Sequence, residues 1–87
     1  MKIVRSAAAG TMESSDVYVQ VSPAGQGIQL QLESVVAQQF GDSIRALVME
    51  VLEEHGVESA SVRIMDRGAL DCVIRARVET ALLRGKE

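Results

Sequence analysis

The sequence predicts an α+β fold: a two-layer sandwich in which a small sheet carries two helices on one face, in the order β-β-α-β-α. Three runs alternate apolar and polar residues with a period of two, as half-buried strands do. Two others place apolar residues three and four apart, as amphipathic helices do. Each predicted strand then has one apolar face and each helix one apolar stripe. Stacking both helices on the same sheet face is the simplest way to bury them.

The first strand is "DVYVQVS", with Val17, Val19 and Val21 on one face and Tyr18, Gln20 and Ser22 on the other. "PAGQG" supplies turn residues, and "IQLQLE" alternates again with Ile28, Leu30 and Leu32 against Gln29, Gln31 and Glu33. Two alternating runs joined by a short glycine-containing loop predict an antiparallel hairpin. Ser34 stands where an N-cap belongs. From Val36 the period changes, and Phe40, Ile44, Leu47, Val48, Val51 and Leu52 form a stripe about five turns long. Gly41 interrupts that helix, which suggests a kink or a close contact. "EEHG" ends it, with Gly56 suited to a left-handed cap.

"ASVRIMD" is the third strand, with Val62 and Ile64 inward and Ser61, Arg63 and Met65 outward. "DRG" turns the chain into a last helix striped by Leu70, Val73, Ile74, Val78, Ala81 and Leu82. A helix linking parallel neighbouring strands crosses right-handed. "RGKE" reads as a frayed tail. The first sixteen residues carry little pattern, so residues 1–15, including the small "SAAAG", are expected to form a mobile arm on a single domain spanning 1–87.

Composition narrows the function classes. The 87 residues are 47% hydrophobic and 24% charged, a globular balance, and the aromatics are Tyr18 and Phe40 alone. A net charge of −3 lacks the clustered cations a nucleic-acid surface uses, and stacking platforms for bases are missing. No apolar run nears the ~20 residues of a membrane span, and the start is too broken for a secretory signal. The expectation is a cytoplasmic protein with no nucleic-acid or membrane partner. One cysteine, Cys72, and one histidine, His55, allow no internal disulfide and make no metal site by themselves.

A hydrolytic set would need Ser14 or Cys72 beside His55. His55 sits at the end of the first helix, where a basic residue complements the dipole. Cys72 near the start of the last helix reads as a small buried thiol. The glycines of "AGQG" and "RGALD" match neither phosphate-binding fingerprint and read as turns, and Asp71 falls in a first helical turn. "GTMESSD" (residues 10–16) sets Ser14 and Ser15 between Glu13 and Asp16. Pattern alone leaves it an exposed loop whose serines a transferase could modify.

Two long segments add weight. "AGTMESSD" (9–16) and "GALDCVIRARVETAL" (68–82), with "QFGDSIR" (39–45) between them, resemble the acyl carrier protein, or gamma, subunit of citrate lyase over nearly the whole chain. The resemblance implies that Ser14 carries 2′-(5″-phosphoribosyl)-3′-dephospho-coenzyme A through a phosphodiester, installed by a prosthetic-group transferase during maturation. It implies a carrier rather than an enzyme. The arm's thiol holds acetyl, the alpha subunit exchanges acetyl for citrate, and the beta subunit releases oxaloacetate and restores acetyl. The chain lacks the D-S-L motif of fatty-acid carriers, and its predicted scaffold differs from their helical bundle. An unpatterned anchor suits a swinging arm, and tethering raises effective concentration to the order of mM. Docking surfaces are expected on the polar sheet face around Tyr18 and Gln31 and on the outer side of the last helix at Arg75 and Arg77. The alternative reading is a small interaction or regulatory domain with no covalent cofactor.

Overall fold

In the computed structural model, which describes residues 1–87, the chain forms β1 (Ala7–Gly10), β2 (Val17–Ser22), β3 (Ile28–Ser34), α1 (Ala37–Glu54), β4 (Ala60–Asp66) and α2 (Asp71–Gly85). The α+β expectation holds, with one strand more than the sequence suggested. The sheet order is β1-β2-β4-β3. β4 runs antiparallel to β2, with Val19 opposite Ile64, and parallel to β3, with Leu30 opposite Val62.

The predicted hairpin is therefore corrected: β2 and β3 run in opposite directions but are not neighbours, because β4 lies between them. Alternation says which face of a strand is buried and nothing about which strand lies beside it. Two strand spacings come to roughly 10 Å, which a five-residue loop spans easily. Burial follows the order. The inward residues Val17, Val19 and Val21 of β2 and Ala60, Val62 and Ile64 of β4 are buried, whereas Ile28, Leu30 and Leu32 on edge strand β3 are half-buried.

β1 overturns the expectation of a mobile arm across residues 7–10. Ala7 to Gly10 pair with Val21 to Tyr18. Alanine and glycine have weak strand propensity and look alike inside and outside, so no alternation betrays them. Their small size is what α2 uses. A Cβ on Gly85 would stand 3.0 Å from the Arg5 carbonyl oxygen and 3.5 Å from the Ala7 Cβ. The tail is not frayed either. The Gly85 carbonyl accepts from the Val4 and Arg5 N–H groups, and Ile3 bridges Lys86.

The core between sheet and helices is aliphatic: Ile44, Val48, Val51 and Leu52 of α1 and Ile74, Val78, Ala81 and Leu82 of α2 meet the inward strand residues. Each such side chain contributes roughly 1.5–3 kcal/mol on burial. Phe40 and Leu70, placed by spacing on the apolar stripes, are instead 52% and 71% exposed at the helix starts. α1 runs through Gly41, where a Cβ would meet only ordinary contacts at 3.7 Å and beyond. Ser34 accepts from the Val36 N–H just ahead of α1. No helix is long and apolar enough to cross a membrane.

A closed serine turn held by a distant arginine

The C-terminal ends of β3 and β4, the start of β2 and the starts of both helices share one end of the molecule. Residues 11–16, joining β1 to β2, lie there. Far from being unstructured, this segment is closed by a mesh of hydrogen bonds. The Asp16 N–H donates to the Glu13 carbonyl at 3.2 Å, which leaves Ser14 and Ser15 at the centre of a tight turn. Thr11 Oγ1 donates to Asp16 Oδ2 at 2.7 Å and accepts from the Glu13 N–H. The Ser15 N–H donates to the Arg67 carbonyl at 2.8 Å, and the Arg67 N–H donates to the Asp16 carbonyl at 2.9 Å, extending the β2–β4 ladder into the turn.

Glycine is obligatory where the segment leaves β1. Gly10 has φ +94, and a Cβ there would lie 1.8 Å from the Val17 carbonyl oxygen. Ser15 has φ 65, a left-handed conformation that costs a non-glycine residue roughly 1–2 kcal/mol. The hydrogen bonds on either side hold it there.

Asp16 ties the turn to the rest of the molecule. Arg77, sixty-one residues later on α2, donates from Nε to Oδ1 and from Nη2 to Oδ2 at 3.2 and 3.1 Å. This two-pronged geometry is the one in which arginine binds carboxylates best. Oδ1 also accepts from the Val17 N–H. The Thr11 hydroxyl first, then the Val17 N–H and Arg77, hold the Asp16 carboxyl at about 2, below its ordinary 3.8. The negative charge is thus consumed in holding the loop. Ser14 is exposed, and its hydroxyl makes no hydrogen bond within the chain. The Ser15 hydroxyl is likewise exposed and unbonded, so the result is a fixed backbone presenting two free alcohols.

The neighbouring "DRGAL" turn is built the same way. Asp66, 2% exposed, accepts from the Ser34 hydroxyl at 2.7 Å and the Ala69 N–H at 2.9 Å, joining the exits of β3 and β4. Beyond it a groove of about 390 Å³ runs between the helix starts, lined by Val36, Phe40, Ile44, Ala69 and Ile74.

The other candidates fall away from this end. His55 follows the last residue of α1, a helix that begins at the serine end, and its Nε2 lies 2.9 Å from Glu79 Oε2. It is a strut between helices and no partner for Ser14. Cys72 is exposed, not buried as expected, because its position on α2 faces away from the sheet. Arg77 is engaged with Asp16, and Arg75 with Glu54 and Glu50, so neither is the free docking cation the sequence suggested. Glu54 above all holds the Arg75 guanidinium in its charged form. The sheet face with Tyr18, Gln20, Gln31 and Arg63 is open. Sequence reasoning missed Gly10, Thr11, Asp16 and Arg77 as one unit. The available signal was that the two quoted segments contain an acid, Asp16, and an arginine, Arg77.

Comparison with known proteins matches this architecture. The family described as malonate decarboxylase delta subunit matches residues 4–85. The chain is 52% identical over its full length to the citrate lyase acyl carrier protein 2 of Salmonella typhimurium, covering 91% of that protein. It is 53% identical over 97% of its length to the citrate lyase acyl carrier protein of Serratia proteamaculans, covering 83% of it. A chain in the crystal structure of a Pseudomonas malonate decarboxylase hetero-tetramer in complex with malonate superposes with a TM-score of 0.81 at 22% identity, over 92% of this chain and 82% of that one, a likeness of fold.

Proposed function

The chain belongs to the citrate lyase acyl carrier protein family, and from that premise we propose that it is the carrier subunit of a citrate lyase, with Ser14 as the anchor of its covalent arm. The observation that carries this reading is the exposed, unengaged Ser14 hydroxyl at the tip of a turn that Thr11, Asp16 and Arg77 hold closed. The group fits that site. A phosphodiester at Ser14 Oγ displaces no hydrogen bond of the turn, and the free alcohol is open to a transferase. Once attached, phosphoribosyl-dephospho-coenzyme A supplies a thiol that holds acetyl or citryl as a thioester.

The chain's own residues keep the anchor in place and accessible. Gly10 lets β1 leave the sheet beneath the Val17 carbonyl, Thr11 and Asp16 close the turn, and Arg77 fixes it to α2. Mobility then resides in the arm and not in the polypeptide, contrary to the expectation of a flexible anchor segment. The alpha subunit (acetyl for citrate) and the beta subunit (citryl cleavage) would approach the same end of the molecule. Exposed Met12, Val35, Phe40 and Leu70 cluster on the loops and helix starts there, an apolar surface suited to protein contact. The carrier itself works as a non-catalytic, cytoplasmic subunit.

Intact mass after co-expression with a prosthetic-group transferase tests the assignment. One large nucleotide-type adduct is expected, lost in Ser14→Ala and retained in Ser15→Ala. An adduct that survives Ser14→Ala overturns the site, and no adduct on the wild-type chain returns it to an interaction domain without a cofactor.

A further inference from the structure

The chain's arginines divide into two groups. Arg5, Arg45, Arg75, Arg77 and Arg84 each donate to a carbonyl or carboxylate. Arg63 and Arg67 are exposed and donate to none. Arg63 stands in the middle of the open sheet face. Arg67 stands beside the serine turn, and its backbone is the direct cross-strand partner of Ser15 and Asp16.

We propose that Arg67 is the phosphate-binding residue of the anchor site, its guanidinium holding the phosphodiester formed at Ser14. This rests on the reading of Ser14 as the anchor. Register supplies the proximity. The Arg67 carbonyl accepts from the Ser15 N–H at 2.8 Å, one residue from Ser14, which places Ser14 within the span of an extended arginine side chain. Charge supplies the need. A phosphodiester placed here sits between the carboxylates of Glu13 and Asp16. Asp16 is already matched by Arg77, whereas Glu13 makes no ion pair. The added anion is therefore one cation short, and Arg67 is the unengaged cation that register brings nearest.

Chemistry supplies the match. A planar guanidinium presents paired N–H donors to two phosphate oxygens, and is less tightly hydrated than an ammonium. Glu33, which lines the same small cleft as Arg67, is the competing acid, but it forms no ion pair with that side chain. The arginine is therefore available. Holding the first phosphate would aim the base of the arm outward from the turn and leave its distal thiol end free to swing.

The test uses the loaded chain, prepared by co-expression and verified by mass, next to its unloaded form. Solvent exchange of the Arg67 Nε–H, followed by NMR, is expected to slow about tenfold on loading, with Arg63 unchanged. The phosphorus resonance of the phosphodiester is expected to move toward its position in the free group in Arg67→Ala, to recover in part in Arg67→Lys, and to stay put in Arg63→Ala. The turn is held by the Arg67 backbone, so unloaded Arg67→Ala should unfold at the wild-type denaturant midpoint. If that variant fails to fold, the exchange measurement on the wild-type chain decides alone. A loaded chain whose Arg67 exchange equals that of Arg63 overturns this inference and leaves the anchor assignment standing. A wild-type chain that gains no adduct removes the anchor, and the inference with it.

Discussion

Two glycine-bearing loops, 10–16 and 23–27, look alike as sequence and differ as structure. In the first, hydrogen bonds tie Thr11, Glu13, Ser15 and Asp16 to one another and to Arg67 and Arg77, and Gly10 sits where a Cβ would strike the Val17 carbonyl at 1.8 Å. In the second, neither Gly25 nor Gly27 has an atom within 4 Å of a built Cβ, and the ties are the Gly27 N–H to Ser59 and the Ala60 N–H to the Gly27 carbonyl. The difference teaches that an exposed, glycine-bearing loop need not be loose. The 23–27 loop merely crosses over β4. The 10–16 loop spends Thr11 and Asp16 on closing itself, and the Ser14 and Ser15 hydroxyls remain free on its surface.

The sharpest way to break that contrast is Gly10→Ala. The clash involves backbone and φ is +94, so the sheet edge or the turn must move. A loss of about 2–4 kcal/mol is expected in urea unfolding, together with slower loading of Ser14. A midpoint within error of wild type would show that the loop is not rigidly held.

Releasing the clamp is the next test. Arg77→Ala is expected to cost about 1 kcal/mol, the Arg77 side chain being 41% exposed and partly screened. Because folding lowers the Asp16 pKa from 3.8 to about 2, the unfolded chain binds a proton that the folded chain does not between those values. The stabilisation is therefore complete above pH 4 and is lost as pH falls toward 2. Asp16→Asn removes this dependence, so wild type and variant should converge in stability as pH drops through that window. Parallel curves would show that Asp16 is not the titrating group.

Two smaller substitutions complete the set. Gly41→Ala in α1 meets its nearest neighbour at 3.7 Å and is expected to stabilise by about 0.5–1 kcal/mol, read as a raised Tm. Gly25→Ala, with open space around it, should change stability by less than about 0.5 kcal/mol. A large effect there would erase the distinction between the loops.

Much of the fold is legible in the sequence because burial is written in periodicity. Val17, Val19 and Val21 declare one face of a strand, and Ile44, Val48, Val51 and Leu52 one stripe of a helix. β1 was invisible because alanine reports no face. Phe40 and Leu70 fit the helical spacing but lie at helix starts, where the sheet no longer covers the stripe. Within the candidate site, the exposure of the serine loop was legible from its lack of pattern, and its rigidity was not. The bond that fixes it joins Asp16 to Arg77 across sixty-one residues. Neither residue breaks the local pattern around it, so nothing nearby announces the pair.

By itself the sequence determined the elements, the faces they bury, and a serine flanked by acids in a family-specific segment. These are local properties, set by side-chain period and turn chemistry. Only the tertiary structure decided that β4 separates β2 from β3, that the first residues form a strand under α2, and that the serine turn is closed. Those outcomes depend on which surfaces meet, on the space a glycine leaves, and on charges brought together from distant positions. Such terms belong to pairs of residues and have no counterpart in the local order of the chain.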